Sequence, residues 1–234
     1  MLVLGIETST RQTSVALATE RGTVASMALA GDRAGHELVG PVVKQLLGWS
    51  ELALTGVGGI AVGLGPGLFT GMRVGIATAK TFAQVLGVPI VGLGSLDILA
   101  FASRHSRRLI CATIDARRGE IFYAFYRPLP GGVARETEIQ VGSPAHLAAD
   151  LDTRREDILL VGSGAREHLP DLKGLGTGVE IGSPGSDHPA ATALVELAIP
   201  RFHREEFDRV FDVQPSYVRK SDAEIAWDQR RRTG

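Results

Sequence analysis

The chain has 234 residues, of which 44% are hydrophobic, and its formal net charge is -1. This length is enough for one large core or two smaller lobes, and the composition is that of a folded globular protein. The near-neutral charge excludes the broad basic surface that unaided nucleic-acid binding requires, so we expect any RNA contact to depend mainly on a partner.

The first half of the chain predicts a mixed sheet with helices. Apolar runs bounded by turn residues predict strands at residues 2–6, 14–18, 24–29, 60–63 and 90–92. Helical periodicity predicts helices at residues 36–49, 70–86 and 96–102. Thr70 is the predicted N-cap of the second helix, after a loop rich in glycine and proline. These elements predict a first lobe at residues 1–104.

The second half again begins with an apolar strand. Strands are predicted at residues 109–115, 121–126, 133–141 and 158–161. One helix should follow Ser143 as its N-cap, and another should cover 189–205 until Pro200 kinks or ends it. The two halves therefore predict a two-lobed α/β chain, with a second lobe at 105–234 that includes a short flexible tail.

Two segments could hold phosphate groups. The first is a strand end followed by three hydroxyl residues, Thr8, Ser9 and Thr10. The second is the glycine-rich loop before the 70–86 helix, which includes Gly65, Gly67 and Thr70. It is neither a Walker A loop nor a dinucleotide fingerprint. A polar hairpin turn and a tight strand-to-helix crossover are the structural alternatives.

The sequence predicts no catalytic or metal-binding group of its own. No G-x-S-x-G motif occurs, and no two histidines stand four residues apart on a helix, as a metal-binding pair would. The single cysteine, Cys111, lies in an apolar run, which predicts a buried strand residue and a cytoplasmic protein. We expect neither a signal peptide nor a membrane span.

The 36–49 helix has a wide apolar surface that allows two interpretations, a protein interface or a fully buried core helix. Its candidate interface residues are Leu38, Val39, Val42, Val43, Leu46, Leu47 and Trp49. His36 and Glu37 predict a polar helix start or the rim of that interface. Arg117, Arg118 and Glu120 predict either a solvated hairpin end or a polar contact with a partner or nucleotide.

A series of motifs along the chain resembles the TsaB (YeaZ) family. It comprises Glu7-Thr8-Ser9-Thr10, Ser14-Val15-Ala16-Leu17, His36-Glu37, Gly65-Pro66-Gly67, Phe69-Thr70-Gly71-Met72-Arg73-Val74-Gly75, Asp115-Ala116-Arg117-Arg118-Gly119-Glu120-Ile121-Phe122 and, more weakly, Pro215-Ser216-Tyr217-Val218-Arg219. Two departures are Glu7, where the family usually has Asp, and Leu68, where Ser is common.

This resemblance implies a two-lobed actin-like ATPase fold, that of the sugar kinases, Hsp70 and actin, with mixed sheets flanked by helices. It also implies a non-catalytic cytoplasmic subunit that acts with the catalytic paralogue TsaD and the ATPase TsaE. Those proteins transfer threonylcarbamoyl to the adenosine next to the tRNA anticodon. The family favours the interface interpretation of the 36–49 helix, toward TsaD or, in a homodimer, toward itself.

The resemblance implies no required cofactor, although ATP or ADP is possible at the partner interface. Because the sequence has no histidine pair for a metal and a near-neutral charge, we expect the chain alone neither to modify tRNA nor to bind it tightly. The sequence leaves two alternative functions open. One is a small-molecule kinase of the same superfamily, and the other, which lacks a histidine pair for its metal, is a glycoprotease-like metallohydrolase.

Overall fold

The computed structural model describes residues 1–31, 35–172 and 175–218. In this part of the chain, two mixed β-sheets are flanked by helices, which confirms the predicted α/β class. The predicted tail beyond residue 218, including Arg219, lies outside the described residues.

The first sheet contains the five strands of the first half. They are β1 (Leu2–Glu7), β2 (Gln12–Thr19), β3 (Gly22–Ala30), β4 (Val57–Gly63) and β5 (Ile90–Leu93). Their order is β3-β2-β1-β4-β5. β1, β2 and β3 pair antiparallel, whereas β1, β4 and β5 run parallel. β1 and β4 are nearly continuous apolar runs because both faces of their sheet are covered.

The second sheet repeats this arrangement. Its strands are β6 (Leu109–Arg117), β7 (Glu120–Leu129), β8 (Gly132–Arg135), β9 (Gln140–Gly142), β10 (Ile158–Val161) and β11 (Val179–Ile181). The order β8-β7-β6-β10-β11 matches that of the first sheet, with β9 also paired to β7. β6 and β7 are antiparallel, and β6, β10 and β11 are parallel. The two halves therefore share one topology.

Two helices cover one face of the first sheet. They are α1 (Val39–Trp49), which follows a 3-10 turn at Gly35–Leu38, and α2 (Phe69–Leu86). A further 3-10 turn, Leu54–Gly56, leads into β4. The buried side of α2 is built from small and medium side chains such as Ile76, Ala79 and Ala83, so the helix packs close to the strands.

The last helix of each half contacts the sheet of the other half. α3 (Ser95–Ala102) packs Leu96 and Leu99 on the second sheet, and α6 (Ala191–His203) packs Leu194 and Val195 on the first. α4 (Pro144–Thr153) and α5 (Ser163–Glu167) cover the outer face of the second sheet, and a 3-10 turn lies at Pro184–Ser186. The predicted division into 1–104 and 105–234 therefore separates the two sheets. It does not separate their hydrophobic cores, because a helix from each half packs on the sheet of the other half.

The segment after α6 runs back along the first half. Asp208 donates its amide to Ile90 O (2.9 Å) and accepts the Gly92 amide (2.7 Å) at the edge of β5. Further on, the Ser216 amide donates to Leu64 O (2.8 Å). Residues 206–217 therefore form a strap beside the glycine-rich loop.

Three local predictions differ from the structure. α2 begins at Phe69, with Leu68 rather than Thr70 at its N-cap, because the Leu68 amide is bonded to Ser9 O. Pro200 does not end α6, since it lies near the last turn and the burial of Phe202 holds the helix against the sheet. The predicted 133–141 strand is split into β8 and β9 where Thr137 Oγ1 accepts the Phe125 amide (3.1 Å).

Candidate functional site between the two sheets

The carboxyl ends of the central parallel strands of both sheets border a cleft between the two halves. In folds with parallel strands this is the usual position of a ligand. From the first half come Thr10, Arg11 and Leu68, and from the second half Ile114, Asp115, Arg117, Ser163, Glu167 and His188. The cleft holds about 260 Å³ of empty space, part of which is open to solvent.

The predicted phosphate segments are packed against each other. Thr8 Oγ1 donates to Gly71 O (2.8 Å), and the Leu68 amide donates to Ser9 O (2.6 Å). A Cβ atom on Gly71 or Gly75 would collide with Thr8. These glycines therefore serve close packing. Of the hydroxyls that we predicted to hold phosphate, that of Thr8 donates within the chain, whereas the buried Ser9 Oγ has no hydrogen-bond partner among the described residues.

Glu7 is completely enclosed at the end of β1. Its Oε1 accepts the Ser9 amide (2.6 Å), and its Oε2 accepts the Ser95 hydroxyl (2.9 Å). The Ser95 oxygen in turn accepts the Gly65 amide (3.1 Å). Burial raises the pKa of Glu7 above its ordinary value of 4.5, against the opposing effect of these hydrogen bonds. The carboxylate thus joins β1, the glycine-rich loop and α3, and it does not line the cleft.

The six predicted phosphate residues consequently have different positions. Thr10, almost buried, lines the cleft, whereas Thr70 is exposed on the first turn of α2. Gly65 and Gly67 are packed in the loop, where a Cβ atom on Gly67 would collide with Ser9. Phosphate binding by the six as one set is not supported by these contacts.

Charged groups join the two halves across the cleft. Arg11 and Glu167 form an ion pair at 3.6 Å. Asp115 Oδ1 accepts the Arg117 amide (3.0 Å) and lies 3.4 Å from His168 Nε2. Burial lowers the pKa of His188, while Asp187 and Glu167 act in the opposite direction. The imidazole of His188 is therefore neutral near pH 7.

The predicted polar set at the β6–β7 hairpin is divided by the structure. Arg117 lines the cleft, while Arg118 is exposed at the turn and Glu120 is half-buried. Arg117 and Arg118 have φ of 64° and 56°, a left-handed conformation that is unfavourable for residues with a side chain. In the other predicted polar pair, Glu37 is exposed and the side chain of His36 lies outside what the structure describes.

The predicted apolar interface corresponds mostly to core. Five of its seven residues are at most 8% exposed and pack between α1 and the first sheet; they are Val39, Val42, Val43, Leu46 and Leu47. Leu38 and Trp49 are 43% and 67% exposed. The prediction that these five residues contact a partner is therefore corrected, because the first sheet already covers them. An interface on this helix remains a prediction that concerns its outer side.

Several cleft residues could not be found from the sequence. Ser163, Glu167 and His188 come from α5 and the loop before α6, far along the chain from Thr10. Arg11 alone had a local signal, since it follows the hydroxyl run directly. Within residues 1–31, 35–172 and 175–218, no group of three or more His, Cys, Asp or Glu is placed to hold a metal ion. None of the helices described there is long and apolar enough to cross a membrane.

Two sheets of the same strand order, joined by exchanged helices around a cleft, define a protein of the actin-like ATPase fold. The family model described as TsaD, tRNA N6-adenosine threonylcarbamoyltransferase, matches residues 22–158. Within that wider family, the chain belongs to the tRNA threonylcarbamoyladenosine biosynthesis protein TsaB (YeaZ) family.

Relatives and a solved structure match along nearly the whole chain. The TsaB proteins of Bacillus subtilis and Escherichia coli are each 30% identical to it. These alignments cover 97% of this chain and 98% and 97% of the two relatives. The structure of YeaZ from Pseudomonas aeruginosa superposes with a TM-score of 0.78 at 28% identity, covering 93% of this chain and 99% of that one.

Proposed function

We propose that this chain is a non-catalytic subunit in the synthesis of threonylcarbamoyladenosine in tRNA. In this proposal it acts in the cytoplasm with a TsaD-type catalytic paralogue and a TsaE-type ATPase, which transfer threonylcarbamoyl to the adenosine next to the anticodon. The chain itself requires no cofactor, and any ATP or ADP that it contacts lies at the partner interface. It meets tRNA mainly through the complex, and it forms a homodimer when the partner is absent.

The observation that carries this proposal is the enclosure of Glu7. An acid at the end of the first strand would have to face the cleft to act on a ligand there. Instead, both carboxylate oxygens are bonded within the core, to Ser9 and Ser95. The neighbouring Thr8 hydroxyl is also occupied, by Gly71 O. These contacts favour a structural role for the end of β1 and argue against the small-molecule kinase alternative, in which these groups would face a ligand.

The outer side of the helix pair supports a partner surface. Trp49 is 67% exposed at the end of α1, Leu38 is 43% exposed before its start, and Phe69 is 37% exposed at the start of α2. Aromatic and large apolar side chains of this kind form the centres of protein interfaces. Burial of each contributes roughly 1.5–3 kcal/mol before the cost of association is subtracted.

Binding is tested by size-exclusion co-elution of the purified chain with the TsaD-type protein of the same cells. We expect a stable complex with the wild-type chain and at least tenfold weaker binding for Trp49→Glu. The matched control is Leu129→Glu, which changes a half-exposed leucine of the second sheet and should bind normally. Equal binding by the two variants would place the interface elsewhere, whereas no complex with the wild-type chain would contradict the proposal itself.

The absence of catalysis is tested separately, with purified tRNA and the threonylcarbamoyl donor. We expect no modified adenosine from this chain alone and modification when the TsaD-type and TsaE-type proteins are added. Robust modification by the single chain, in a preparation shown to be free of the paralogue, would refute the non-catalytic role.

A further inference from the structure

The outer edge of the first sheet lacks the usual protection of an edge strand. β3 is the end strand of that sheet, and among the described residues its backbone pairs only with β2. Its nine residues include no charged side chain and no proline. Edge strands are usually short, charged, interrupted by proline or covered, because a free row of backbone N–H and C=O groups pairs readily with another chain. β3 therefore has the properties of a strand that pairs.

The other sheet edges that the structure describes are each protected in one of these ways. At β5 the strap covers the edge, where Asp208 is bonded to Ile90 O and to the Gly92 amide. β8 and β9, which both pair with β7, have four and three residues, and β8 exposes Arg135. β11 has three residues and exposes Glu180. Against these edges, the long uncharged edge of β3 is the exception.

The two faces of β3 carry different side chains. Ala25, Met27 and Leu29 are partly buried and pack against the core beneath α1. Ser26 and Ala28 alternate with them and are exposed on the opposite face. The pairing of β3 with β2 is regular from Ala25 onward. A strand added at this edge would therefore continue an apolar face on one side and a face of small side chains on the other.

We propose that β3 pairs with β3 of a second copy of this chain, antiparallel about a twofold axis beside Met27. The proposal rests on the homodimer of the proposed function and names its surface. In this register Ala25 lies opposite Leu29 and Ser26 lies opposite Ala28, while the two Met27 side chains meet at the axis. Such cross-strand neighbours stabilise a sheet unless like charges are opposed. Here Leu29 has a small neighbour, and β3 brings no charge to the contact.

A second copy fits this edge better than an unrelated extended segment does. Recognition of a foreign strand takes its specificity from pockets for alternate side chains. The exposed face of β3 offers only Ser26, Ala28 and Ala30 beside the added strand. A twofold pair satisfies both edges at once and leaves neither free. The axis lies at Met27 because an axis at Ala28 would oppose two larger side chains, Met27 and Leu29.

The test measures the mass of the full chain by size-exclusion chromatography with light scattering, over a range of protein concentrations. We expect a dimer for the wild type and at least about tenfold weaker dimerisation for Ala28→Lys. In the proposed dimer the two new lysines are diagonal neighbours on one face, about 7–8 Å apart, so they repel each other. The matched control, Ala134→Lys, changes an exposed alanine on the edge strand β8 and should dimerise as the wild type does.

The register is tested by disulfide formation between two variants in the presence of oxidised glutathione. Ser26→Cys mixed with Ala28→Cys should form a cross-linked dimer, whereas Ser26→Cys mixed with Ala134→Cys should not. The native Cys111 is buried and does not compete. This measurement also covers the case in which Ala28→Lys does not fold.

Failure of this inference is distinguishable from failure of the proposed function. Ala28→Lys should still co-elute with the TsaD-type protein, because the outer side of α1 and α2 is unchanged. Pairing through β3 is overturned by a monomeric wild-type chain, by equal weakening in Ala28→Lys and Ala134→Lys, or by the absence of a cross-link between the cysteine variants. A dimer that is lost in Trp49→Glu and kept in Ala28→Lys would place the contact on α1 instead.

Discussion

The carboxylate of Glu7, the last residue of β1, occupies the space that a Cβ atom on Gly63, the last residue of β4, would need. The two strands are parallel neighbours, and their ends are brought together by the sheet. Ser95 adds a hydrogen bond from α3 to the same carboxylate. Gly63 and Glu7 therefore allow the ends of β1 and β4 to pack closely against each other and against α3.

Gly63→Ala should destabilise the protein by about 1–3 kcal/mol, because the added methyl group meets the buried Glu7 side chain in a well-packed core. Gly48→Ala is the matched control, since nothing lies within 4 Å of its Cβ position and it belongs to helix α1. That change should be neutral or stabilising by up to about 1 kcal/mol. Urea unfolding measures both; equal effects of the two changes would show that the Glu7–Gly63 contact is unimportant.

Glu7→Gln should change how stability depends on pH. Burial raises the pKa of Glu7 in the folded state above the ordinary 4.5. The resulting stabilisation is complete below about pH 4.5 and is lost as pH rises through the folded pKa. The wild-type chain should lose stability over this window, relative to Glu7→Gln, in denaturant unfolding measured at several pH values. If the free energy of unfolding of the two proteins changed in parallel with pH, ionisation of Glu7 would not destabilise the fold, and the prediction would be wrong.

Leu46→Ala should cost about 2–5 kcal/mol, because Leu46 is 1% exposed and packs in the core beneath α1. Leu46→Glu should prevent folding, since it would bury an unpaired charge. Trp49→Ala, three residues further on, should change stability by less than about 0.5 kcal/mol because its side chain is 67% exposed. Thermal and urea unfolding distinguish the positions, and a stable Leu46→Glu variant would contradict the buried placement of the helix.

Tyr217→Ala should release the strap that follows α6. The Tyr217 hydroxyl accepts Arg73 Nε (2.9 Å), and its ring lies 5.6 Å from that of Phe69. Hydrogen exchange of the Ser216 amide, which is bonded to Leu64 O, should become faster in this variant. Tyr217→Phe keeps the ring contact and should have a smaller effect. Phe211→Ala is the control at an exposed position of the same strap, and an equal increase there would refute a specific role for Tyr217.

The sequence by itself determined the kind and order of most elements. Apolar runs located β1 and β10 closely, and Ser143 was correctly predicted as the N-cap of α4, where its hydroxyl oxygen accepts the His146 amide. These features depend on residues that are neighbours along the chain. The motif series likewise indicated the TsaB family, because the motifs themselves are local.

Only the tertiary structure decided which surfaces face each other. The apolar residues of α1 suit an interface or a core equally well in sequence, and packing on the first sheet placed Leu46 in the core. The Thr8 hydroxyl, which was predicted to hold phosphate, donates a hydrogen bond to Gly71 O, 63 positions away. Thr10, Ser163 and His188, which are distant in sequence, line the same cleft. Burial and hydrogen-bond partners at such separations depend on how sheets and exchanged helices assemble, and local periodicity contains no information about that assembly.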